Sequence, residues 1–461
     1  MKKESISVKV IATKHQPKER ILMMTTLTQN TLHFNRSIKL SNNGGMLSSD
    51  TGELIFREFD EKIGFSQTIA KHLQLKDDRT YCIHENEQLL RQKIYQLIAG
   101  YHEDDAADRL THDPIFTQVL GTPALASQPS LSRFFKRFDT QALHQLQVAN
   151  QGLLDRVHHA RQSKALIFDL DSTHSDTYGN QEHSSYNAHY RILGFHPLVV
   201  FDGLTGDFLK AQLRPGNVYT SNGVVDFMRP LIEHYNEVFP EKSYLVRGDS
   251  GFAVPDLYEL CEKESVYYII RLKANPKLKT LAEELHPTHE IRDVSVTESY
   301  VEESIYQASS WSKPRRIIIQ FTRPAGELFF SHAFFVTSLS ETFSPQAIVV
   351  SYKQRGTMEN FIKEAKDGFG FDQMKSHDFL VNEARMMLSL LAYNFTNWLR
   401  TLSFPKKYKG IQIQTIRTRL IKVASKLVKS GRSLYFKMSS SFVYERFFWD
   451  VLTRVQQLTF H

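Results

Sequence analysis

The sequence predicts an α/β fold, a mixed β-sheet flanked by helices, with an all-α region ahead of it and a β-rich insertion inside it. Three observations lead there. Between residues 161 and 273, short apolar runs bounded by turn signals alternate with segments of helical periodicity. Residues 46–160 show helical spacing only, and residues 274–350 read as successive strands. A sheet covered by helices is the packing solution that such an order permits.

Residues 1–45 are polar, with Asn42-Asn43-Gly44-Gly45 as a turn, and read as a flexible tail with room for one strand. Asp50-Thr51-Gly52-Glu53 has capping-box spacing; Leu54, Ile55, Phe59 and Ile63 follow at helical intervals, and Gly64 ends the element. Helical pattern continues over Glu87–Gly100, Asp105–Leu110 and Asp113–Leu120. After the loop Gly121–Pro129 comes a short basic, aromatic helix, Ser130–Phe138. Short helices joined by turns suit a helix-turn-helix DNA reader and an ordinary helical domain alike.

The grammar changes at Ala165. Strands are predicted at Ala165–Asp171, His196–Phe201 and Asp207–Leu213, with a polar loop after the first. A helix (Val224–Phe239), a strand (Ser243–Val246), a helix (Val254–Lys263) and a strand (Val266–Leu272) follow. This is the ribonuclease H-like order, and it sets the strands that lead to Asp171 and Asp249 side by side at the centre. Ile291–Val296, Ser299–Gln307, Arg315–Phe321 and Ala333–Thr337 form the insertion, read as a subdomain of residues 274–350. Residues 351–399 return to the core, with a stop at Gly368–Gly370 and a long apolar helix, Asn382–Leu402, whose Met386, Met387, Leu390, Leu391, Tyr393 and Phe395 are core residues.

Composition narrows the classes. A chain of 461 residues, 41% hydrophobic, suits two or three domains with packed cores. Cys82 and Cys261 are too few for a disulfide framework or a four-cysteine zinc site. No apolar run approaches the ~18 residues that span a bilayer, and Met1–Arg20 lacks the apolar centre of a secretory signal. The expectation is a cytoplasmic protein, without membrane contact and nucleoid-associated when bound to DNA. Net charge is +7. From Arg400 to His461, thirteen Lys or Arg stand against Glu445 and Asp450, so this region, residues 400–461, holds the whole basic excess. Tyr408, Tyr435, Phe436, Phe442 and Tyr444 are interleaved with those charges. The balance points to a polyanion partner.

Three stretches carry chemistry. Ala165–Thr173 (A-L-I-F-D-L-D-S-T) and Ser243–Phe252 (S-Y-L-V-R-G-D-S-G-F) are apolar runs that end in an acid, the form of a buried strand with its carboxylate at the exposed end. Tyr352–Lys366 reads Y-K-Q-R-G-T-M-E-N-F-I-K-E-A-K. On one helix at about 100° per residue, with Tyr352 at zero, Arg355 falls at about −60°, Glu359 at about −20° and Lys366 at about −40°. The four would line one stripe, with Met358, Phe361, Ala365 and Phe369 on the neighbouring face and Glu364 off the stripe. An amphipathic surface helix with a solvated charged side fits the same pattern.

Taken together, these stretches resemble the DDE transposases of bacterial insertion sequences, and within them the group with a Tyr-Arg-Glu-Lys signature, distantly similar to piggyBac. That signature is spaced Y-x2-R-x3-E-x6-K, which Tyr352, Arg355, Glu359 and Lys366 meet without a gap. Asp171 before Ser172-Thr173, and Asp249 before Ser250-Gly251-Phe252, match the first two acids; the resemblance runs from about residue 45 to the C-terminus. It implies that Asp171, Asp249 and Glu359 are catalytic and hold two Mg²⁺ or Mn²⁺ ions, about 3.5–4 Å from each other, which clamp the attacking and leaving oxygens. Arg355 and Lys366 would hold DNA phosphates, and Tyr352 would donate to a phosphate or orient the arginine. Arg271, Lys273 and Trp311 are further candidate DNA contacts, Trp311 as a base-stacking ring or else a core residue. The implied partners are double-stranded DNA (terminal inverted repeats and target) and a second copy of the chain. Relatives bind transposon ends through their N-terminal helical domain and pass through a DNA hairpin.

Asp169 shares a strand face with Asp171 and is the alternative first acid. F-D-L-D-S-T also resembles the first motif of haloacid-dehalogenase-type phosphohydrolases, with Asp169 as nucleophile. A third reading is a transposase-derived DNA-binding regulator without catalysis. His158, His159, His183, His189 and His196 have no closed metal spacing.

Overall fold

The structure, a computed structural model, describes residues 32, 34–286 and 293–460. Most of the predicted 1–45 tail lies outside the described residues. The described chain forms two compact units: one runs up to Leu47 and includes Lys426–Lys437, and the other holds Ser48–Ser425 and Met438 onward.

In the larger unit, α1 (Glu53–Ile63), α2 (Phe65–His72), α3 (Asn86–Ala99), α4 (Pro114–Leu120), α5 (Gln128–Phe135) and α6 (Thr140–Arg161) precede the sheet. Gly64 ends α1 in the left-handed region, φ 69°, as expected. The Asp50–Glu53 capping box is not formed. No side chain caps α1, Glu53 is fully buried with its carboxyl pushed well above the usual range by burial, and Asp50 turns to Lys422 and Tyr101.

The sheet has eight strands. β1 (Ala165–Ser172) is followed by β2 (Ser175–Asp176), β3 (Ser185–Asn187) and β4 (Ile192–Phe195), which pair as a small separate sheet where a polar loop was expected. Then come β5 (Leu198–Asp202), β6 (Phe208–Gln212), α7 (Val224–Val238), β7 (Ser243–Gly248), α8 (Pro255–Lys263), β8 (Tyr267–Leu272) and α9 (Pro276–Glu284). The insertion supplies β9 (Glu298–Tyr306), β10 (Arg315–Arg323) and β11 (Ser331–Thr337). Of the strand predicted at Ile291–Val296, residues 291 and 292 lie outside the described residues, and Asp293–Val296 is a turn rather than a strand.

Order across the large sheet is β9-β10-β11-β8-β7-β1-β5-β6. β1, β7 and β8 are parallel; β5 and β6 add antiparallel on one side and β11, β10 and β9 on the other. The insertion therefore extends the main sheet from the edge of β8 instead of forming a subdomain of its own. Pairing with β11 covers the β8 edge, which would otherwise expose unpaired backbone groups.

Helices cover both faces. Tyr235 of α7 packs on Phe168 of β1 with ring centroids 5.6 Å apart. Opposite, α10 (Pro345–Lys353) buries Ile348 and Val349 against Ile269, Ile318 and Phe335. After α10 come α11 (Gly356–Phe369) and the long α12 (Phe379–Ser403). α12 is buried on two sides. Its Asn394 bonds both backbone groups of Phe208 in β6, at 2.7 Å each. Its Phe395 ring meets Phe56 and Phe59 of α1, Phe65 of α2 and Tyr95 of α3 at 4.3–6.5 Å. The N-terminal helices thus close the same core as the sheet. None of the helices among the described residues is long and apolar enough to cross a membrane.

The smaller unit is built on a three-stranded sheet of Leu47–Ser48, β12 (Ser425–Ser430) and β13 (Ser433–Met438), in that order. The chain ends with α13 (Glu445–Gln457) in the larger unit.

Candidate functional site

β1 and β7 lie side by side and parallel, Leu170 opposite Gly248, so the next residues, Asp171 and Asp249, leave the same end of two neighbouring central strands. Asp249 caps a short turn, its carboxylate accepting from Gly251 N at 2.9 Å. Asp171 accepts from Ser172 N at 2.9 Å and pairs with the Arg355 guanidinium at 3.1 Å. Burial pushes the Asp171 carboxyl up to about 6; Arg355 pulls it down and Asp249 pushes it further up. A second carboxylate that raises the proton affinity of Asp171 marks a place where a cation is favourable.

Asp169, two residues earlier on the same face, is occupied otherwise. Arg247 of β7 grips both its oxygens at 2.6 Å, and neither side chain meets solvent. A Cβ on Gly203 would stand 2.4 Å from the Asp169 carboxylate, so the backbone closes over the pair. The guanidinium and the closed backbone leave no open side from which a metal or a phosphate ester could reach the carboxylate. The phosphohydrolase reading fails there.

The Tyr352–Lys366 stretch is not one helix. α10 ends at Lys353, and Gln354 and Arg355 form a turn with i→i−3 bonds (Arg355 N to Tyr352 O, Met358 N to Arg355 O, both 2.9 Å) before α11 starts at Gly356. The glycine after two turn residues interrupts the ladder. Tyr352, on the far side of that turn from Glu359 and Lys366, packs on Phe335, ring centroids 4.7 Å apart. Burial raises its hydroxyl; Arg355 and Arg271 oppose this, and Asp249 and Asp171 add to it.

Arg355, Glu359 and Lys366 keep a shared face of α11. Arg355 also donates to Leu170 O at 3.0 Å, and its Nε is buried without a partner. Lys366 donates to His174 O at 2.6 Å. Glu359 lies between these anchors in the first turn, exposed and without an ion pair or hydrogen bond to a described residue. The structure does not gather the three acids closely. Among the described residues only Glu182, His377 and Asp378 bring three potential ligand atoms within 4.8 Å of one another.

Arg271 and Lys273 are exposed at the end of β8. Trp311 is not available to a base. It is 7% exposed, set edge-on to Tyr258 (5.6 Å) and Tyr306 (5.4 Å), with the Arg315 guanidinium 5.4 Å from its ring. Glu364, off the predicted stripe, is not free either. It pairs with Arg400 at 3.1 Å and accepts from Ile413 N at 2.7 Å.

Two residues beside the acids have no counterpart in the sequence reading. Tyr190, 42% exposed, stacks on His174 at 4.9 Å, and its hydroxyl is raised by burial and by Asp171 and Asp249. Both line an open cavity of about 540 Å³ with Thr173, Lys366 and Asp372. The signal was there in Ile192–Phe195, an apolar run too short to distinguish from a loop.

Two acids at the same end of adjacent parallel central strands, one of them held by a guanidinium, characterise the site. The chain belongs to the family described as transposase DDE domain, group 1, which matches residues 30–460, and it is a DNA transposase. Enzymes of that class use divalent metal ions. Among solved structures, it is similar to a piggyBac transposase synaptic complex with hairpin DNA, with 13% identity, a TM-score of 0.42, and coverage of 81% of this chain and 79% of that one. It is also similar to a Mos1 transposase paired-end complex with left transposon end (11%, TM-score 0.17, 47% and 75%) and to the Mos1 mariner paired-end complex with Mn (12%, TM-score 0.17, 46% and 68%). At such low TM-scores the family match alone carries the assignment. No curated protein matches the chain.

Proposed function

We propose that the protein excises and inserts a bacterial insertion sequence, with Asp171, Asp249 and Glu359 as its metal-binding carboxylates. The observation that carries this is the placement of Asp171 and Asp249 at the same end of adjacent parallel strands, with Arg355 reaching Asp171 from the turn that opens α11. Glu359, four residues after Arg355, shares its side of that helix. The run β6-β5-β1-β7-β8 also has the ribonuclease H-like order and directions.

The donor set fits two Mg²⁺ or Mn²⁺ ions. It is all oxygen, and Asp249 disfavours the charge of Asp171, which a cation would relieve. Asp171, Asp249 and Glu359 would hold the ions, which when bound polarise the scissile phosphate and stabilise the attacking and leaving oxygens. The chain's own groups do the rest. Arg355, Lys366, Tyr352 and the exposed Arg271 and Lys273 orient the DNA phosphates. Water attacks phosphorus, the P–O3′ bond breaks, and the released oxygen takes up a proton as a 3′-hydroxyl. That hydroxyl then attacks a phosphate of another strand, displaces its 3′-oxygen, and passes on its proton.

The partners are the terminal inverted repeats and target DNA, held by two copies of the chain that pair the two ends in the cytoplasm. Purified protein incubated with DNA from the element's own ends, with and without Mg²⁺, tests the reading through the mapped cuts. Metal-dependent cuts at the ends support it. Binding without cutting would instead indicate a regulator that has lost catalysis.

A further inference from the structure

We propose that the small β-unit is the surface on which the protein grips double-stranded DNA, its hairpin entering the major groove. This rests on the transposase reading and adds to it the place where the duplex is held.

The described residues of that unit include Arg36, Lys39, Lys426, Lys429, Arg432 and Lys437, and no Asp or Glu. All six cations are exposed, and none makes an ion pair or a side-chain hydrogen bond with a described residue. Other cations of the basic C-terminal region differ. Arg400 pairs with Glu364, Arg417 donates to the carbonyls of Leu97, Ile98 and Gly368, and Lys422 pairs with Asp50. Lys406, Lys407, Lys409 and Arg446 are exposed too, but in the larger unit, where Glu445 and other acids share the chain; the small unit sets its exposed cations among described residues that include no acid. Six like charges without a counter-charge repel one another, and a polyanion relieves that repulsion.

The shape selects a duplex. β12 and β13 form a hairpin closed by a two-residue loop, Gly431-Arg432, with Gly431 at φ 60° where such tight loops place glycine. Lys426 and Lys429 are an odd number of residues apart on β12 and so face opposite sides of the ribbon. Arg432 sits at the tip and Lys437 on β13. A two-stranded ribbon with cations on both faces and at its tip matches the major groove, about 12 Å wide, whose walls carry phosphates on either side. Leu434 and Tyr435, 46% and 50% exposed on β13, give that ribbon apolar contacts for thymine methyl groups.

The test uses the full chain carrying Lys426→Gln, Lys429→Gln, Arg432→Gln and Lys437→Gln, with Arg432→Gln alone as a second variant less able to disturb folding. Circular dichroism checks the fold, and affinity for a 40-base-pair duplex is measured between about 50 and 200 mM salt. Each lost phosphate contact flattens the slope of log K against log salt by about 0.9, so the quadruple variant should flatten it by about 3.6 and the single variant by about 0.9. The native chain's advantage over the quadruple variant should then be about 150-fold larger at the low end of that range than at the high end. An unchanged slope in the folded variants overturns the inference and leaves the transposase reading standing. A loss seen on phosphatidylserine vesicles but not on duplex would overturn it in favour of a membrane surface. Absence of salt-dependent duplex binding by the native chain would sink both.

Discussion

Arg247 of β7 and Asp169 of β1 form a two-pronged ion pair, Nε and Nη2 each 2.6 Å from a carboxylate oxygen, and the third arm of the guanidinium donates to Ser351 O. Ser351 immediately precedes Tyr352, so this pair ties the two strands that lead to the candidate acids to the end of α10. Asp169 holds the frame, and Asp171, two residues on, is left to Arg355.

Asp169→Asn should therefore act on stability first. It leaves a buried guanidinium without its counter-charge, which costs about 3–5 kcal/mol. Chemical denaturation should show the loss. An Asp169→Asn protein as stable as the native chain would show that the pair does not brace the sheet.

Strand cleavage should require Mg²⁺ or Mn²⁺ and stop in chelator; robust cutting in EDTA would refute the two-ion reading. With Asp171 at about 6, metal binding competes with a proton below that pH. At limiting Mg²⁺ the cleavage rate should rise about tenfold per pH unit up to about pH 6 and then level off. Asp171→Asn should abolish both cutting and this acid limb.

Glu359→Gln keeps helix propensity and removes a metal ligand, so cleavage should fall by orders of magnitude while DNA binding persists. Glu364 is no control for this experiment. Its bonds to Arg400 and Ile413 N predict that Glu364→Gln lowers stability, by about 1–3 kcal/mol. Asp367, exposed on the same helix, is the suitable one. Equal loss of cleavage in Asp367→Asn and Glu359→Gln would reduce the α11 face to a charged surface.

Trp311→Ala should remove a buried ring from between Tyr258, Tyr306 and Arg315 and cost about 3–5 kcal/mol. End processing, measured well below the melting temperature, should survive. Retained stability with lost processing would restore Trp311 as a DNA contact.

His158 is buried with both ring nitrogens unpartnered, and burial depresses its pKa to about 4. A depressed folded-state pKa gives stability that is present above the unfolded value of 6.5 and lost as pH falls through about 4. His158→Phe, beside Tyr235 and Phe239, should flatten the fall in stability between those pH values. Identical pH–stability curves for the two proteins would show that His158 does not titrate on unfolding.

The sequence was legible where a residue's position follows from its own strand. Asp171 and Asp249 each end an apolar run, and the register Leu170–Gly248 sets them together as the strand order suggested. It was illegible where tertiary contact decides. A wheel through Tyr352 cannot register that two turn residues and Gly356 split the helix, nor that Phe335 captures the tyrosine. Trp311, flanked by Lys313 and Arg315, looked DNA-facing, but both cations are spent on Glu262. α6 went unread because Gln and His residues break up its apolar stripe. The edge that β11 joins belongs to β8, a long-range pairing with no local signal.

Phe395 has one further consequence. The rings of α1, α2 and α3 converge on it from the segment ahead of the sheet, while Asn394 beside it fastens the same helix to β6. The first third of the larger unit is thus not a cassette. A chimaera spliced near residue 160 to borrow a relative's DNA preference would strip the aromatic lid from α12 and expose it to water. An exchange of the N-terminal helices must therefore carry α12 with them, because both halves share one core.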